Sequence, residues 1–114
     1  MQRRNWSLRI EDMLDAIQHI QQYTQGMDLP AFTSDQRTID AVVRNFEILG
    51  EAARHVPNEI QQKYPDIPWS KIRGMRHMLA HEYFGINTDI LWKTATQDIL
   101  SLVPRLQTIL NGAN

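Results

Sequence analysis

Apolar residues recur at intervals of three and four along most of the chain, which is the spacing of one face of an α-helix. No segment alternates apolar and polar residues between turn residues, as a half-buried strand would. The first helical segment runs from about residue 7 to residue 26. Its apolar stripe consists of Leu8, Met13, Ile17, Ile20 and Tyr23.

The stretch "GMDLPAFTSD" interrupts this pattern. Pro30 lies within it, and Ser34 or Asp35 can cap the helix that follows. That second helix is predicted over about residues 35 to 55, and Gly50 inside it would permit close approach of a neighbouring helix. Its apolar stripe comprises Ile39, Val42, Phe46, Leu49 and Ala53, and its polar row comprises Arg44, Glu47, Glu51 and Arg54.

One short helix and two more long ones are predicted in the second half of the chain. "VPNEIQQKYPDIP" holds a short helical turn between prolines. The third long helix is predicted from about 68–70, where proline suits the first turn, to Gly85, a residue type that often ends helices. Asn87 or Thr88 caps the last helix, which runs through Leu110. Its inward positions are Ile90, Leu91, Ala95, Ile99, Leu102, Leu106 and Ile109.

These elements predict an all-α bundle of four main helices plus a short helix, in a single domain over residues 1–114. The chain has no cysteine, which excludes disulfides, thiolate nucleophiles and cysteine-ligated metals. The N-terminus lacks the apolar core of a signal peptide, and no apolar run approaches the ~20 residues of a membrane span. We therefore expect a cytoplasmic protein with no membrane segment.

Positive charge is concentrated in one place, although 12 Lys and Arg against 13 Asp and Glu give a net charge of -1. "RGMRHMLAHEYFG", residues 73 to 85, holds two arginines, two histidines and a tyrosine. No acidic residue occurs from Lys71 to His81. A local basic patch on a near-neutral protein suits a site for one anionic group better than a long phosphate track.

Helical geometry divides this stretch into two sides. At roughly 100° per residue, Arg76 and Tyr83 are nearly eclipsed two turns apart, and His77 and His81 stack at i, i+4. The core side gathers Ile72, Met75, Met78 and Leu79, and the opposite arc carries Arg73, Arg76, His77, Ala80, His81, Tyr83 and Phe84.

The side chains on that arc have a specific combined chemistry. Arginine offers a planar fork of donors to a phosphate, and histidine exchanges a proton near neutral pH. His81 lies in the last helical turn, where the helix dipole favours its protonated form. Cleavage of RNA without a metal needs a base for the ribose 2′-OH, a cation for the pentavalent phosphate and an acid for the leaving 5′-oxygen. This arc can supply all three.

Less specific interpretations account for the same residues. An exposed face with two arginines is often only solvated. His77 and His81 could hold a metal, but Glu82 follows His81 directly, so the H-E-x-x-H order is absent and no third ligand is evident. Tyr83 and Phe84 can be helix-end packing.

Glu47 of the second helix is a further candidate, because it could reach the site from a neighbouring helix. The alternative is that Glu47 is a solvent-facing partner of Arg44 or Arg54.

"RHMLAHEY" resembles the R-x4-H-x-Y motif of HepT-type HEPN ribonuclease toxins, the group once called DUF86. The flanking residues agree. "IPWSKIRGMRHMLAHEYFGINTDILW" is similar to the family's motif helix and the loop after it, and "NFEILGEAAR" resembles its other recognisable block. The resemblance covers nearly the whole chain.

This resemblance implies a dimeric HEPN helical bundle, with the two motif helices bordering a shared cleft. The chain would be the toxin of a type VII HEPN/MNT toxin–antitoxin system and a metal-independent endoribonuclease. Arg76 and His81 would be the catalytic pair, supported by His77 and Arg73. The chain itself would need no cofactor and no metal.

The resemblance also implies a partner, a minimal nucleotidyltransferase (MNT) antitoxin. It would use ATP and Mg²⁺ to transfer AMP onto the motif tyrosine, here Tyr83, and so neutralise the toxin. The phosphate of that AMP would occupy the place meant for the RNA phosphate beside Arg76.

Two other classes of function remain open. HEPN domains also resemble the helical substrate-binding halves of nucleotidyltransferases, so the same residues could hold a nucleotide for a partner enzyme without cleaving anything. A purely structural helical partner protein would not need Arg76 or His81 at all.

Overall fold

The described part of the chain consists of α-helices and the short connections between them, with no strand. The computed structural model describes the backbone of residues 5–81 and 87–113, and the side chains of residues 5–75 and 87–112. The prediction of an all-α fold is confirmed. The helices are α1 (Asn5–Thr24), α2 (Leu29–Thr33), α3 (Gln36–Arg54), α4 (Asn58–Lys63), α5 (Trp69–His81), α6 (Thr88–Lys93) and α7 (Leu102–Ala113).

Helix α3 is the central packing element, because α1 and α5 both pack along it. Phe46 and Leu49 of α3 are fully buried, and every residue of its predicted apolar stripe lies in the core. Helix α1 also contacts α7, so α1 and α3 link the outer helices α7 and α5. The motif helix α5 is therefore supported mainly through α3.

The predicted stripe of α1 is confirmed in its middle and wrong at its ends. Met13, Ile17 and Ile20 are buried, but the side chains of Leu8 and Tyr23 are exposed. The helix ends at Thr24 rather than near residue 26, because Gly26 adopts a left-handed φ of 77° and turns the chain out of the helix.

Helix α2 lies within the stretch predicted to be a break between helices. Asp28 caps it by accepting a hydrogen bond from the Ala31 N–H at 2.9 Å, and Pro30 occupies its first turn. Proline suits that position, since its missing N–H would have no helical partner there. Phe32 is fully buried, and the centroid of its ring lies 5.0 Å from the centroid of the Trp92 ring. Helix α2 thus covers the core against α6.

The predicted last helix begins where expected but is not continuous. Asn87 caps α6, which is followed by a π-helical segment at Thr94–Asp98 and a 3₁₀ turn at Ile99–Ser101 before α7 starts. Pro104 accounts for the 3₁₀ turn, because its ring clashes with the carbonyl of Leu100, four residues earlier, and it donates no backbone hydrogen bond. The hydroxyl groups of Thr94 and Thr96 also donate to carbonyls four residues back, at 2.9 and 2.7 Å.

The inward positions of that last segment are otherwise as predicted, except for Ile90. Its side chain is 63% exposed, while the other six predicted positions are buried.

The corner between α4 and α5 fixes where the motif helix begins. The Trp69 indole N–H donates to the Tyr64 carbonyl at 2.9 Å, and Trp69 itself is buried. The Pro68 carbonyl accepts the first helical hydrogen bond, from the Ile72 N–H at 3.0 Å. From α7, Arg105 donates to the Asp66 carbonyl at 2.8 Å. The predicted start near 68–70 is confirmed, and the predicted end at Gly85 lies outside the described residues.

None of the helices in the described ranges has the length and apolar character that a bilayer crossing requires.

Removing the cap of α3 should destabilise the protein in a pH-dependent way. The Asp35 carboxylate accepts hydrogen bonds from the Thr38 hydroxyl at 2.9 Å and the Thr38 N–H at 3.2 Å, and these lower the pKa of Asp35 from its ordinary value of 3.8. A lowered folded-state pKa stabilises the fold above the unfolded-state pKa, and this stabilisation is lost as the pH falls through the folded-state pKa. We expect Asp35→Ala to melt a few degrees below wild type at pH 7, with the gap closing under acid conditions.

Asp35→Asn is the control, because a neutral amide oxygen can still cap the helix. The difference in melting temperature between Asp35→Asn and Asp35→Ala should not depend on pH. If wild type melted above Asp35→Ala by the same margin in acid as at pH 7, the role given to the carboxylate would be contradicted.

Trp69→Phe should lower the free energy of unfolding by about 1–2 kcal/mol, because it removes a partly buried hydrogen bond and part of a packed ring. Urea denaturation followed by circular dichroism measures this. Trp92→Phe is the matched control, since Trp92 also packs on the core but makes no indole hydrogen bond to a described residue. Equal losses in the two variants would show that the bond to Tyr64 contributes nothing.

Candidate functional site

The candidate site lies on α5, which carries most of the residues singled out in the sequence. The backbone of Arg76, His77 and His81 belongs to this helix, but their side chains lie outside the described set. Tyr83 lies outside the described residues altogether. Among the predicted site residues of the motif stretch, Arg73 is the one whose side chain is described.

The backbone of α5 sets the relative position of the two predicted catalytic residues. The helix is continuous from Trp69 to His81. With 1.5 Å rise and 100° per residue, the Cα atoms of Arg76 and His81 are about 8–9 Å apart on different sides of the helix. His81 is the last described residue of α5.

Arg73 is held in place by α4. Its guanidinium donates to the side-chain carbonyl of Gln61, and the Gln61 amide donates in turn to the Val56 carbonyl at 2.9 Å. Gln61 is neutral, so this contact orients the guanidinium without compensating its charge. The result is an arginine of the motif helix whose guanidinium is oriented by α4 and keeps its positive charge.

The first half of α5 is consequently a cationic surface. Lys71 is exposed and Arg73 is half-buried, and neither forms an ion pair with a described carboxylate. Such a surface attracts anions and holds them by charge and by hydrogen bonds from the guanidinium. Gln61 was not found from the sequence, because a single glutamine in a short helix gives no signal of the contact.

The polar row of α3 is arranged differently from the expectation. Arg54 and His55 both pair with Glu51, each at 3.1 Å, and not with Glu47. Glu47 lies in an open cleft of about 390 Å³ between α1 and α3. On α3, Arg44 and Glu51 line the same cleft. From α1 the cleft is lined by Arg9 and Asp12, which form an ion pair of 3.7 Å.

This cleft is not a strong candidate for the same chemistry. Its lining contains both signs of charge and is widely open to solvent, so it presents no concentrated field to one anion. Within the described side chains, no three His, Asp or Glu residues group closely enough to hold a metal ion. The cationic surface of α5 therefore remains the candidate site.

Comparison with known proteins assigns the chain to a family. A family described as "Ribonuclease HepT-like" matches residues 13–110. The chain is 38% identical over 100 residues to "Probable ribonuclease HepT" of Thermococcus cleftensis, covering 88% of this chain and 91% of that protein. It is 36% identical over 101 residues to "Putative RNase TTE0752" of Caldanaerobacter subterraneus, covering 89% and 90% of the two chains.

A third relative, "Putative RNase MJ1380" of Methanocaldococcus jannaschii, is 30% identical over 109 residues, which covers 96% of this chain and all of that protein. No solved structure matches the chain. The family match spans α3, α5 and nearly all of α7, so it includes both the packing core and the helix that carries the candidate site. The chain belongs to the HepT-like ribonuclease family.

Proposed function

We propose that this protein is a metal-independent endoribonuclease that cleaves RNA with Arg76 and His81, and that it is the toxin of a HEPN/MNT toxin–antitoxin pair. The observation that carries the proposal is the R-x4-H-x-Y sequence, whose Arg76 and His81 belong to α5, in a chain of the HepT-like ribonuclease family. The cationic first half of the same helix supports it, because an RNA substrate is a polyanion.

The proposed reaction is attack of a ribose 2′-oxygen on the adjacent phosphorus. A base takes the 2′-hydroxyl proton as the new P–O bond forms, and the P–O bond to the 5′-oxygen breaks. The leaving 5′-oxygen receives a proton from an acid. His81 exchanges these protons, and Arg76 stabilises the charge of the pentavalent phosphate. His77 and Arg73 assist, with Arg73 presented by Gln61.

The activity is, in this proposal, regulated by a covalent modification. An MNT nucleotidyltransferase uses ATP and Mg²⁺ to transfer AMP onto Tyr83, and the added phosphate competes with the RNA phosphate for Arg76. The modified protein is inactive because the site is occupied, and its fold is unchanged. Activity in the cytoplasm and assembly as a homodimer are part of the same proposal.

His81→Ala should abolish cleavage while leaving RNA binding nearly intact. Loss of a general acid–base group costs roughly 10²- to 10⁴-fold in rate, whereas one lost contact changes affinity only a few-fold. Total RNA incubated in EDTA measures cleavage, and fluorescence anisotropy measures binding. His55→Ala is the control, because His55 is an exposed histidine directly after α3 that pairs with Glu51.

If unmodified wild type left RNA intact and His81→Ala lost nucleotide affinity in proportion to its contacts, the chain would be a nucleotide-holding module. Retention of full cleavage by His81→Ala would refute the assignment of that residue.

Tyr83→Phe should prevent the transfer of AMP that regulates the activity. Intact mass after co-expression with an MNT nucleotidyltransferase should rise in steps of AMP for wild type and stay constant for Tyr83→Phe. Tyr23→Phe, at an exposed tyrosine on α1, should gain mass like wild type. Modified wild type should lose RNA affinity with an unchanged melting temperature, and undiminished RNA binding after modification would exclude occlusion.

A further inference from the structure

Gly74 occupies an interior position of α5 that the described fold does not require to be glycine. Its φ is not in the left-handed region, where Gly26 alone lies among the described residues. A Cβ built on Gly74 would meet no described atom within 4 Å. Alanine would therefore fit, and it would favour the helix, because glycine is the weaker helix former.

Gly112 of α7 shows the contrast. A Cβ on Gly112 would lie 3.2 Å from the Tyr64 hydroxyl oxygen, so packing inside the chain accounts for that glycine. Among the described residues, nothing comparable accounts for Gly74. A glycine that weakens its own helix, with open space beside it in the described structure, leaves room for a surface from outside the chain to approach closer than a Cβ would allow.

The residues around Gly74 identify the chemistry of that surface. Ser70 lies one turn earlier at i−4 and Lys71 at i−3, so both share the face of Gly74, and both are exposed. Arg73 lies on the other flank, oriented by Gln61 and without a carboxylate partner among the described residues. The bare backbone at Gly74 is thus bordered by a hydroxyl donor and by two cations that form no ion pair with a described carboxylate.

We propose that the sugar–phosphate backbone of RNA crosses α5 at Gly74, with Lys71 and Arg73 on either side of the strand and Ser70 donating to it. This rests on the proposed function and names the contact that brings the strand to the motif, since Arg76 follows two residues later. An anionic strand fits this face better than direct contact with the same face of a second copy, because two such faces packed together would bring like charges together.

The experiment separates stability from binding. Gly74→Ala and Gly74→Leu are compared with wild type for melting temperature, for affinity to a short 2′-O-methyl RNA that cannot be cleaved through its 2′-hydroxyl, and for mass by sedimentation. Both variants should melt at or above the wild-type temperature. Gly74→Leu should bind RNA roughly tenfold more weakly or worse, since a side chain forced between packed surfaces is that unfavourable.

Two controls accompany these variants. Gln22→Leu places the same side chain at an exposed position on α1 and should leave RNA affinity unchanged. Lys71→Ala should lower the slope of log affinity against log salt by about 0.7, the value expected for one phosphate contact on a single strand.

Each other outcome overturns the inference in a distinguishable way. If wild type neither binds nor cleaves RNA, the proposed function fails first. If wild type cleaves RNA and Gly74→Leu binds as well as wild type, only the crossing point is wrong. A change of mass in Gly74→Leu with unchanged RNA affinity would place a second copy on α5. A lower melting temperature in Gly74→Ala, or equal weakening by Gln22→Leu, would show a structural or non-specific effect.

Discussion

The burial of two adjacent sides of α3 is the constraint on which the rest of the structure depends. One side packs against α1 and the other against α5, so a single apolar sector holds three of the long helices together. Phe46 and Leu49 lie in that sector and are fully buried. Since α5 has few other supports, the position of the candidate site is set by how this sector is packed.

Helix existence could be predicted from the sequence, because it depends on local periodicity that survives without knowledge of neighbours. The centres of the apolar stripes of α1, α3 and the last helical segment were correct for the same reason. Positions at the ends, such as Leu8, Tyr23 and Ile90, depend on whether another element reaches that far, and they turned out to be exposed. Periodicity alone does not show how far a neighbouring element extends along the helix.

Two departures from the predicted helices have causes that can be found in the sequence when the position of each proline within its helix is taken into account. Pro30 was interpreted as a helix breaker, although Asp28 two residues before it makes the pair a capped helix start. Pro104 was passed over within an otherwise regular stripe, and the π and 3₁₀ segments lie in the turns before it. In both cases the position of proline within the helix decides its effect.

The candidate site could be predicted only in part. Residue chemistry and family resemblance single out the motif, and they would do so for any fold that made α5 a helix. The hydrogen bond from Arg73 to Gln61 joins residues 12 positions apart on different helices, so no local pattern announces it. Gly74 was noted only as part of a family pattern, because its meaning depends on the empty space beside it.

The contact between Arg105 and the Asp66 carbonyl has a consequence for chain entropy. It joins residues 39 positions apart and closes a loop that contains all of α5 and the residues that follow it. A loop fixed at both ends samples far fewer conformations than a chain end, and most of the entropic cost of that restriction is incurred once, on folding. The segment that carries Arg76, His81 and Tyr83 is therefore tethered at both its ends by the bundle.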